Sequence, residues 1–293
     1  MTGSFLVFVS GQKEVPLTED FIRSLHADFA ATPLNWLHPD KAAEIKFESD
    51  LSPESFKSVR ELASQNFVDV FHSPAAHRRK KLLLADMDAT IVEGETLDDL
   101  AAFAGLKEKI SEITARAMRG ELDFKQALEQ RVKMLEGLSV TALEQTLATM
   151  KINAGAVDTV RVMRAHDAEC YLVSGGFTYF TGAIAKACSF NGHHGNVLEI
   201  EGDHLTGNVI PPILDKNAKL GFLNQYTAKC GISKEQTLSV GDGANDIPML
   251  LGAGIGVGYH PKPLVQEQIS NLIIHTDLTS LLYIQGYTWL DLQ

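Results

Sequence analysis

The chain has 293 residues and a formal net charge of −11, with 45% hydrophobic and 22% charged residues. This length allows two or three domains, each with its own hydrophobic core. The acidic balance argues against a general nucleic-acid binder, because affinity for a phosphate backbone requires clustered cations. No apolar run approaches the about 18 residues of a membrane-spanning helix, and the first residues lack the basic start of a signal peptide. The three cysteines include no CxxC pair, which favours a reduced, cytoplasmic protein.

Residues 4–72 show the order strand, helix, strand, helix, strand. The segments FLVFVS, AAEIKFES and FVDVFH are apolar or alternating, and two segments with helical period separate them. Thr18 is a capping candidate for the first helix, and a Ser-Pro pair opens the second. This order predicts a small α+β domain of the split βαβ, ferredoxin-like type over residues 1–76. The basic run HRRKK that follows is typical of a solvated linker.

Beyond this run, short apolar segments end in Gly or Asp and alternate with helical patterns. They predict the strands of a doubly wound parallel α/β sheet, and they are LLLAD, CYLVSGG, TLSVGDG, GIGVGY and NLIIHT. The predicted core comprises residues 77–92 and 166–293. The long insertion 93–165 has helical period almost throughout and predicts a cap that can act as a lid over the strand ends. A Gly-rich segment at 190–210 predicts a small β excursion.

Acidic side chains stand where two of these predicted strands end, and α/β sheets bind their ligands at that edge. Asp86 and Asp88 lie two residues apart and so share one face of an extended strand. Asp242 and Asp246 follow a later strand, in the segment GDGAND. Carboxylates without clustered His or Cys are the ligand set of a hard cation, above all Mg²⁺. The sequence therefore predicts a magnesium site here.

Other strand-end features suit a phosphate. Ser174 supplies a hydroxyl, the glycine amides that follow it can bind an anion, and Lys219 supplies a point positive charge. Carboxylates, a hard cation, a hydroxyl, amides and a lysine together form a set for phosphoryl transfer. Each motif taken alone is also compatible with an ordinary turn or helix cap. The order DxDxT, SGG, Lys, GDGxND, with each motif at or near a strand end, favours the catalytic interpretation.

This ordered set resembles the haloacid dehalogenase-like superfamily of phosphohydrolases over residues 81–276. Within that superfamily the resemblance is to the phosphoserine phosphatases, because VEGETLDDLA, MRGELDF and QRVKMLEGL look like their substrate-recognition segments. The first domain resembles the degenerate ACT-type domain that many bacterial members carry. One position departs from the pattern: Ala89 stands where members usually have Ser. Since Asp88 and Thr90 are retained, we expect activity to survive this change.

The resemblance implies a role for each site residue. Asp86 is the nucleophile that forms an aspartyl-phosphate, and Asp88 is the general acid and later the base. The implied metal ligands are Asp86, Asp88, Asp242 and Asp246. The implied phosphate contacts are Ser174, Gly175, Lys219 and Asn245. The implied substrate contacts are Glu95 for the ammonium group, Arg131 for the carboxylate, and Met118 and Phe124 on the lid.

These substrate contacts have plainer alternatives. Met118 and Phe124 are also compatible with helix core, Arg131 with a solvated helix arginine, and Glu95 with an acid at a helix N-terminus. Arg131 nevertheless suits a carboxylate, because its planar guanidinium can donate two parallel hydrogen bonds.

We therefore expect Mg²⁺-dependent hydrolysis of O-phospho-L-serine to L-serine and phosphate, the last step of serine biosynthesis, in the cytoplasm. The expected partner is the small-molecule substrate, without nucleic acid or membrane, and a homodimer is considered. Two alternatives stay open. One is a phosphatase or phosphotransferase of the same fold that acts on another small phosphomonoester. The other is a non-catalytic regulatory protein that senses an amino acid.

Overall fold

The structure is a computed structural model, and it describes residues 3–11, 16–48, 51–118 and 122–293. Within these ranges none of the helices combines the length and the hydropathy that crossing a membrane requires.

The N-terminal module, residues 3–74, is a four-stranded antiparallel sheet in the order β2-β3-β1-β4 with two helices on one face. Its elements are β1 (Ser4–Ser10), α1 (Glu19–Ser24), β2 (Leu34–His38), β3 (Ala42–Phe47), α2 (Pro53–Ser64) and β4 (Val68–Pro74). This is the predicted split βαβ arrangement with one strand more. The sequence pattern missed β2 because this edge strand lies between Pro33 and Pro39, and most of its side chains are not buried. The ACT-type assignment stays a prediction.

The second face of this sheet packs against the rest of the chain. Val7, Val9 and Phe71 are fully buried, and they share one apolar cluster with Leu281 and Ile284 near the C-terminus. Because β1 is buried on both faces, its sequence reads as a continuous apolar run rather than an alternating one.

The basic run at residues 77–81 is not a solvated linker, which corrects that prediction. Lys80 is 2% exposed, and its Nζ donates to the carbonyl of Glu235 at 2.6 Å. The guanidinium of Arg78 lies 3.8 Å from the ring centre of Phe5 and pairs with Glu44. Lys80 is buried and Arg78 is mostly shielded from solvent because the N-terminal module and the core pack on both sides of the segment.

The core is a seven-stranded sheet in the order β11-β10-β9-β5-β6-β7-β8. All neighbouring pairs are parallel except the β7–β8 hairpin, which confirms the predicted doubly wound sheet and its β excursion. The strands are β5 (Leu82–Ala85), β6 (Glu169–Phe177), β7 (Gly192–Glu201), β8 (His204–Ile210), β9 (Thr237–Gly241), β10 (Ile255–Tyr259) and β11 (Asn271–Ile273). The core helices are α8 (Thr178–Ala187), α9 (Lys216–Lys229), α10 (Ile247–Gly252), α11 (Pro263–Gln268) and α12 (Ser280–Ile284).

Between β5 and β6 the chain is helical, as the sequence predicts. The helices are α3 (Thr96–Phe103), α4 (Lys107–Met118), α5 (Phe124–Lys133), α6 (Val140–Thr149) and α7 (Ala156–Ala165). The helices α3 to α6 pack on one another and α5 also contacts β8, whereas α7 packs on β6. The division of the chain into domains stays a prediction.

Two antiparallel segments carry the chain into and out of these helices. Val92 and Ile152 form a β-bridge, and the Glu93 amide donates to the carbonyl of Lys151 at 2.9 Å. The Asn153 side chain adds a bond to the carbonyl of Thr90 at 2.8 Å. This pairing holds the start of α3 close to the carboxyl end of β5.

Candidate active site

Three carboxylates meet at the carboxyl ends of β5 and β9. Asp86 follows β5 directly, and its amide continues the ladder by donating to the carbonyl of Val240 at 3.0 Å. Asp242 follows β9, and Asp246 stands at the N-cap position of α10. One oxygen from each carboxylate lies within 4.8 Å of the others, and all three residues are buried. A Cβ at Gly241 would lie 2.5 Å from the Cγ of Asp246, so glycine is required for this close approach.

Lys219 of α9 is the buried cation of this cluster. Its Nζ donates to Oδ1 of Asp86 at 2.6 Å and to Oδ1 of Asp246 at 2.5 Å. Burial alone would lower the pKa of Lys219, but these two carboxylates hold it above its ordinary value. The Gly243 amide fixes the other oxygen of Asp246 at 3.0 Å. Lys219 thus stays protonated and holds Asp86 in one orientation.

The cluster carries surplus negative charge. Burial raises the pKa of Asp86 well above its ordinary value, the charge of Asp246 adds to this, and Lys219 opposes it. Burial also raises the pKa of Asp242, with Lys262 opposing. Buried carboxylates of this kind are stabilised by a cation, and oxygen-only donors suit a hard divalent one. The three residues therefore fit a metal site.

Asp88 has a different setting from Asp86. It is half-buried, and its Oδ2 accepts from the hydroxyl of Ser174 at 3.0 Å. Its Oδ1 accepts from the amide of Thr96 at 2.9 Å and also from the hydroxyl of that residue. Ala89, with φ of 53°, turns the chain sharply after it. The carboxylate of Asp88 is thus oriented by the end of β6 and the start of α3.

The other predicted phosphate contacts lie at the same edge of the sheet. Ser174 is buried, and the amide of Gly176 donates to its hydroxyl at 2.8 Å. The carbonyl of Gly175 accepts from the side chain of Asn196 at 2.7 Å, which fixes the last part of β6. Asn245 is half-buried in the turn after β9. The structure therefore brings the phosphate contacts of β6 and β9 to the strand ends where the carboxylates lie.

Glu95 and Arg131 belong to the helical insertion. Glu95 stands at the N-cap position of α3, and Arg131 lies in α5, where it donates to the carbonyl of Ala127 at 3.1 Å. Burial lowers the pKa of Arg131, whereas the negative charges of Asp98 and Glu95 raise it. The side chains of the two remaining predicted contacts, Met118 and Phe124, lie outside the described residues.

Two residues that the sequence prediction did not include contact this site. Thr96 donates twice to Asp88, as described above. Lys262 lies three residues after β10, and its Nζ is 3.0 Å from Oδ2 of Asp242 and 3.1 Å from Oε1 of Glu95. The rule that polar groups at strand ends form the site could have identified Lys262. Thr96 carried no such signal, because a threonine at the start of a helix is common.

A cavity lies away from these residues. It has a volume of about 640 Å³ and lies where the N-terminal module meets the segments that lead into the cap, with Lys41, Glu93, Asn153 and Tyr259 among its walls. None of the predicted site residues is among its described lining residues. The candidate site is identified by its arrangement of charges, and this cavity is not part of it.

The family model described as haloacid dehalogenase-like hydrolase matches residues 83–251, more than half of the chain. The chain therefore belongs to the haloacid dehalogenase-like hydrolase family, as its ordered motifs predict. The prediction that it is an enzyme, a hydrolase of phosphoric monoesters related to the phosphoserine phosphatases, is confirmed.

Among the curated relatives, a phosphoserine phosphatase from Archaeoglobus fulgidus is 37% identical over 243 residues, which are 81% of this chain and 71% of the relative. A solved structure of a haloacid dehalogenase family hydrolase from Salmonella enterica serovar Typhi matches with a TM-score of 0.88 and 28% identity. That match covers 97% of this chain and 98% of the other, so it includes the N-terminal module. A phosphoserine phosphatase solved as a phospho-aspartyl intermediate analogue matches 70% of this chain and 98% of its own, with a TM-score of 0.65 and 35% identity.

Proposed function

We propose that this protein hydrolyses O-phospho-L-serine to L-serine and phosphate, with Asp86 as the nucleophile. The proposal rests above all on one observation: Lys219 bridges Asp86 and Asp246 beside Asp242, at the strand ends where Lys262 links Asp242 to Glu95. The similarity to a phosphoserine phosphatase over 81% of the chain supports the choice of substrate.

In the first half of the reaction, a carboxylate oxygen of Asp86 attacks phosphorus and the bond from phosphorus to the serine oxygen breaks. Lys219 holds Oδ1 of Asp86 at 2.6 Å, so the nucleophile needs little reorganisation before it reacts. Covalent catalysis of this kind divides one difficult displacement into two easier ones. The relative solved as a phospho-aspartyl intermediate analogue supports an aspartyl-phosphate on Asp86.

Asp88 is proposed to move the protons. It protonates the serine oxygen as that group leaves, and it then takes a proton from the water that attacks the aspartyl-phosphate. The hydrogen bonds from Thr96 and Ser174 support this role because they fix the carboxylate two residues from the nucleophile. Hydrolysis of the acyl phosphate restores Asp86 and releases phosphate.

We propose Mg²⁺ as the metal. The residues that would hold it are Asp86, Asp88 through its main-chain carbonyl, Asp242 and Asp246. When bound, the ion neutralises charge between the nucleophile and the phosphate and stabilises the oxygens of the transferring group. The oxygen-only cluster and its raised carboxyl pKa values support a hard cation.

The substrate is proposed to bind through three sets of contacts. Its phosphate is held by Ser174, Gly175, Lys219 and Asn245. Its ammonium group is held by Glu95, its carboxylate by Arg131, and the lid contacts are Met118 and Phe124. This set accounts for all three charged groups of phosphoserine.

The remaining proposals concern context. A cytoplasmic enzyme for the last step of serine biosynthesis suits a chain whose three cysteines form no disulfide. A homodimer stays a proposal, which sedimentation analysis would test. The proposed domains are residues 1–76, the core at 77–92 and 166–293, and the cap at 93–165.

The test is phosphate release from a panel of phosphorylated amino acids and sugars, with and without Mg²⁺. We expect phosphoserine to be preferred, chelation to stop turnover, and Asp86→Asn to abolish it because the variant keeps the shape but loses the attacking charge. The matched control is Asp203→Asn, at an aspartate whose side chain is 84% exposed and pairs with its neighbour His204. Full activity of Asp86→Asn would refute the assignment of Asp86 as the nucleophile. A preference for another phosphomonoester would favour a phosphatase or phosphotransferase of the same fold with a different substrate. No phosphate release from any substrate would favour a non-catalytic regulatory protein.

A further inference from the structure

Lys262 links the core to the helical insertion at the candidate site. Its Nζ lies 3.0 Å from Oδ2 of Asp242 and 3.1 Å from Oε1 of Glu95. Asp242 directly follows β9 and Glu95 stands at the N-cap of α3, so one ammonium group joins the proposed metal site to the proposed substrate site. The proposed mechanism gives Lys262 no role.

The backbone of Lys262 is held rigidly, which makes it a suitable anchor. Its amide donates to the carbonyl of Asp242 at 2.9 Å. Pro261 and Pro263 flank it, and the proline rings restrict the backbone on both sides. Only the four-carbon side chain is left to adjust, and both of its described partners are carboxylates.

Glu95 needs such an anchor. Its side chain is half exposed, and it stands where the chain leaves the core for the insertion. The nearby charges of Asp88 and Asp242 have the same sign as Glu95 and repel it, which adds to the effect of burial in raising the pKa of Glu95. The ion pair with Lys262 opposes both effects and holds the carboxylate against the core.

We propose that Lys262 is a positioning residue that directs the Glu95 carboxylate toward the substrate's ammonium group and so sets the enzyme's preference for amino-acid phosphates. The inference rests on the proposed function. Lys262 contacts Oε1 of Glu95, and a carboxylate has two oxygens with about four acceptor positions, so Oε2 can accept from the substrate. Lys262 acts through Glu95 and does not itself touch the reacting atoms.

The experiment compares two substrates that differ in one group: phosphoserine, and its deamino analogue, in which hydrogen replaces the ammonium group. Lys262→Met should lower kcat/KM for phosphoserine by about tenfold, mostly through KM, because it weakens a charged contact that is made on binding. The deamino analogue should lose less than phosphoserine does, because the contact of Lys262 with Asp242 is common to both substrates whereas its contact with Glu95 serves only the substrate that carries an ammonium group. Lys262→Gln should behave like Lys262→Met, and Lys262→Arg should restore much of the preference.

Two controls separate positioning from a general structural role. Lys151→Met removes an exposed lysine that pairs with Glu93 at 3.9 Å near the base of the cap, and it should leave both substrates unaffected. The double variant Lys262→Met/Glu95→Gln should show the same preference between the two substrates as Glu95→Gln alone, since the lysine sets that preference through the glutamate. Calorimetry with a non-hydrolysable phosphonate analogue of phosphoserine should show the same ranking without turnover.

The inference is overturned if Lys262→Met loses activity equally on both substrates and so keeps the wild-type preference, or if it lowers the preference for phosphoserine further when Glu95→Gln is already present. A wild-type enzyme that does not hydrolyse phosphoserine would refute the proposed function and this inference with it. A wild-type enzyme that prefers phosphoserine, together with a Lys262→Met variant that keeps this preference, would refute the inference alone.

Discussion

Asp69→Ala should weaken the attachment of the N-terminal module to the core. Asp69 lies in β4 and is 3% exposed. Its Oδ2 accepts from the amides of Ile274 and His275 at 3.1 Å each, from the amide of Thr276 at 3.0 Å, and from the hydroxyl of Thr276 at 2.7 Å. Burial raises the pKa of Asp69, and the hydrogen bonds from Thr276 and His275 partly offset that effect. One side chain of the module thus accepts hydrogen bonds from three consecutive residues of the core, at positions 274–276.

The expected loss in the free energy of unfolding follows from the donors that the alanine leaves without an acceptor. Each such buried donor costs about 1–3 kcal/mol. The three backbone amides lose Asp69 as their acceptor, whereas the Thr276 hydroxyl keeps its hydrogen bond with Ser280. Water can enter the space left by the carboxylate and satisfy part of the set. We therefore expect a loss of about 3–5 kcal/mol, the range typical of breaking a buried charged contact. That is a large part of the about 5–15 kcal/mol by which a domain is usually stable.

The assay is urea unfolding followed by tryptophan fluorescence, with limited proteolysis of the folded protein as a second measurement. Trp36 reports on the module, and Trp289, whose amide donates to the carbonyl of Leu37 at 2.8 Å, reports on its junction with the core. The control is Asp28→Ala, since Asp28 is in the same module and its side chain is 68% exposed. A free energy of unfolding for Asp69→Ala within about 0.5 kcal/mol of the wild type would refute the reasoning, because surface substitutions give changes of that size.

Three further predictions follow from the site and from a buried lysine. Arg131→Ala should lower kcat/KM for phosphoserine by about ten- to a hundredfold and leave p-nitrophenyl phosphate unaffected, and equal losses on both substrates would contradict its role. Asp88→Asn should slow phosphoserine hydrolysis about a hundred- to ten-thousand-fold. It should slow the hydrolysis of an aryl phosphate less, because that leaving group needs little protonation. Parallel kinetics with the two substrates test this difference. Burial lowers the pKa of Lys80 to about 8 from its ordinary 10.5. Between these two pH values the unfolded chain binds more protons at Lys80 than the folded protein does. The free energy of unfolding therefore rises with pH across this window. Lys80→Met should therefore be more stable than the wild type by up to about 3 kcal/mol at pH 7. Urea titrations at several pH values should show this difference shrinking toward pH 10.5. A difference independent of pH would show that the lowered pKa of Lys80 is not its cause.

Much of the architecture could be predicted from local patterns. Short apolar runs between helical segments predicted the parallel sheet, and helical period between β5 and β6 predicted the helical insertion. These predictions succeed because hydrophobic period reports directly on which faces of an element are buried. The strand β2 escaped prediction because an edge strand buries few side chains and so carries a weak pattern. The prediction that the basic run at 77–81 is a solvated linker was wrong. Composition shows the charges of Arg78 and Lys80, but it does not show which surfaces pack against them.

The sequence by itself determined which chemical groups stand at the strand ends, since Asp86 and Asp242 directly follow strands that the apolar pattern reveals. Only the tertiary structure decided how those groups pair. Lys219 reaches Asp86 across 133 residues, and Lys262 reaches Glu95 across 167. No local pattern encodes such contacts, because they depend on how α9 and the turn after β10 pack against the sheet. Side-chain charge is a property of the residue, but the partner of that charge is a property of the fold.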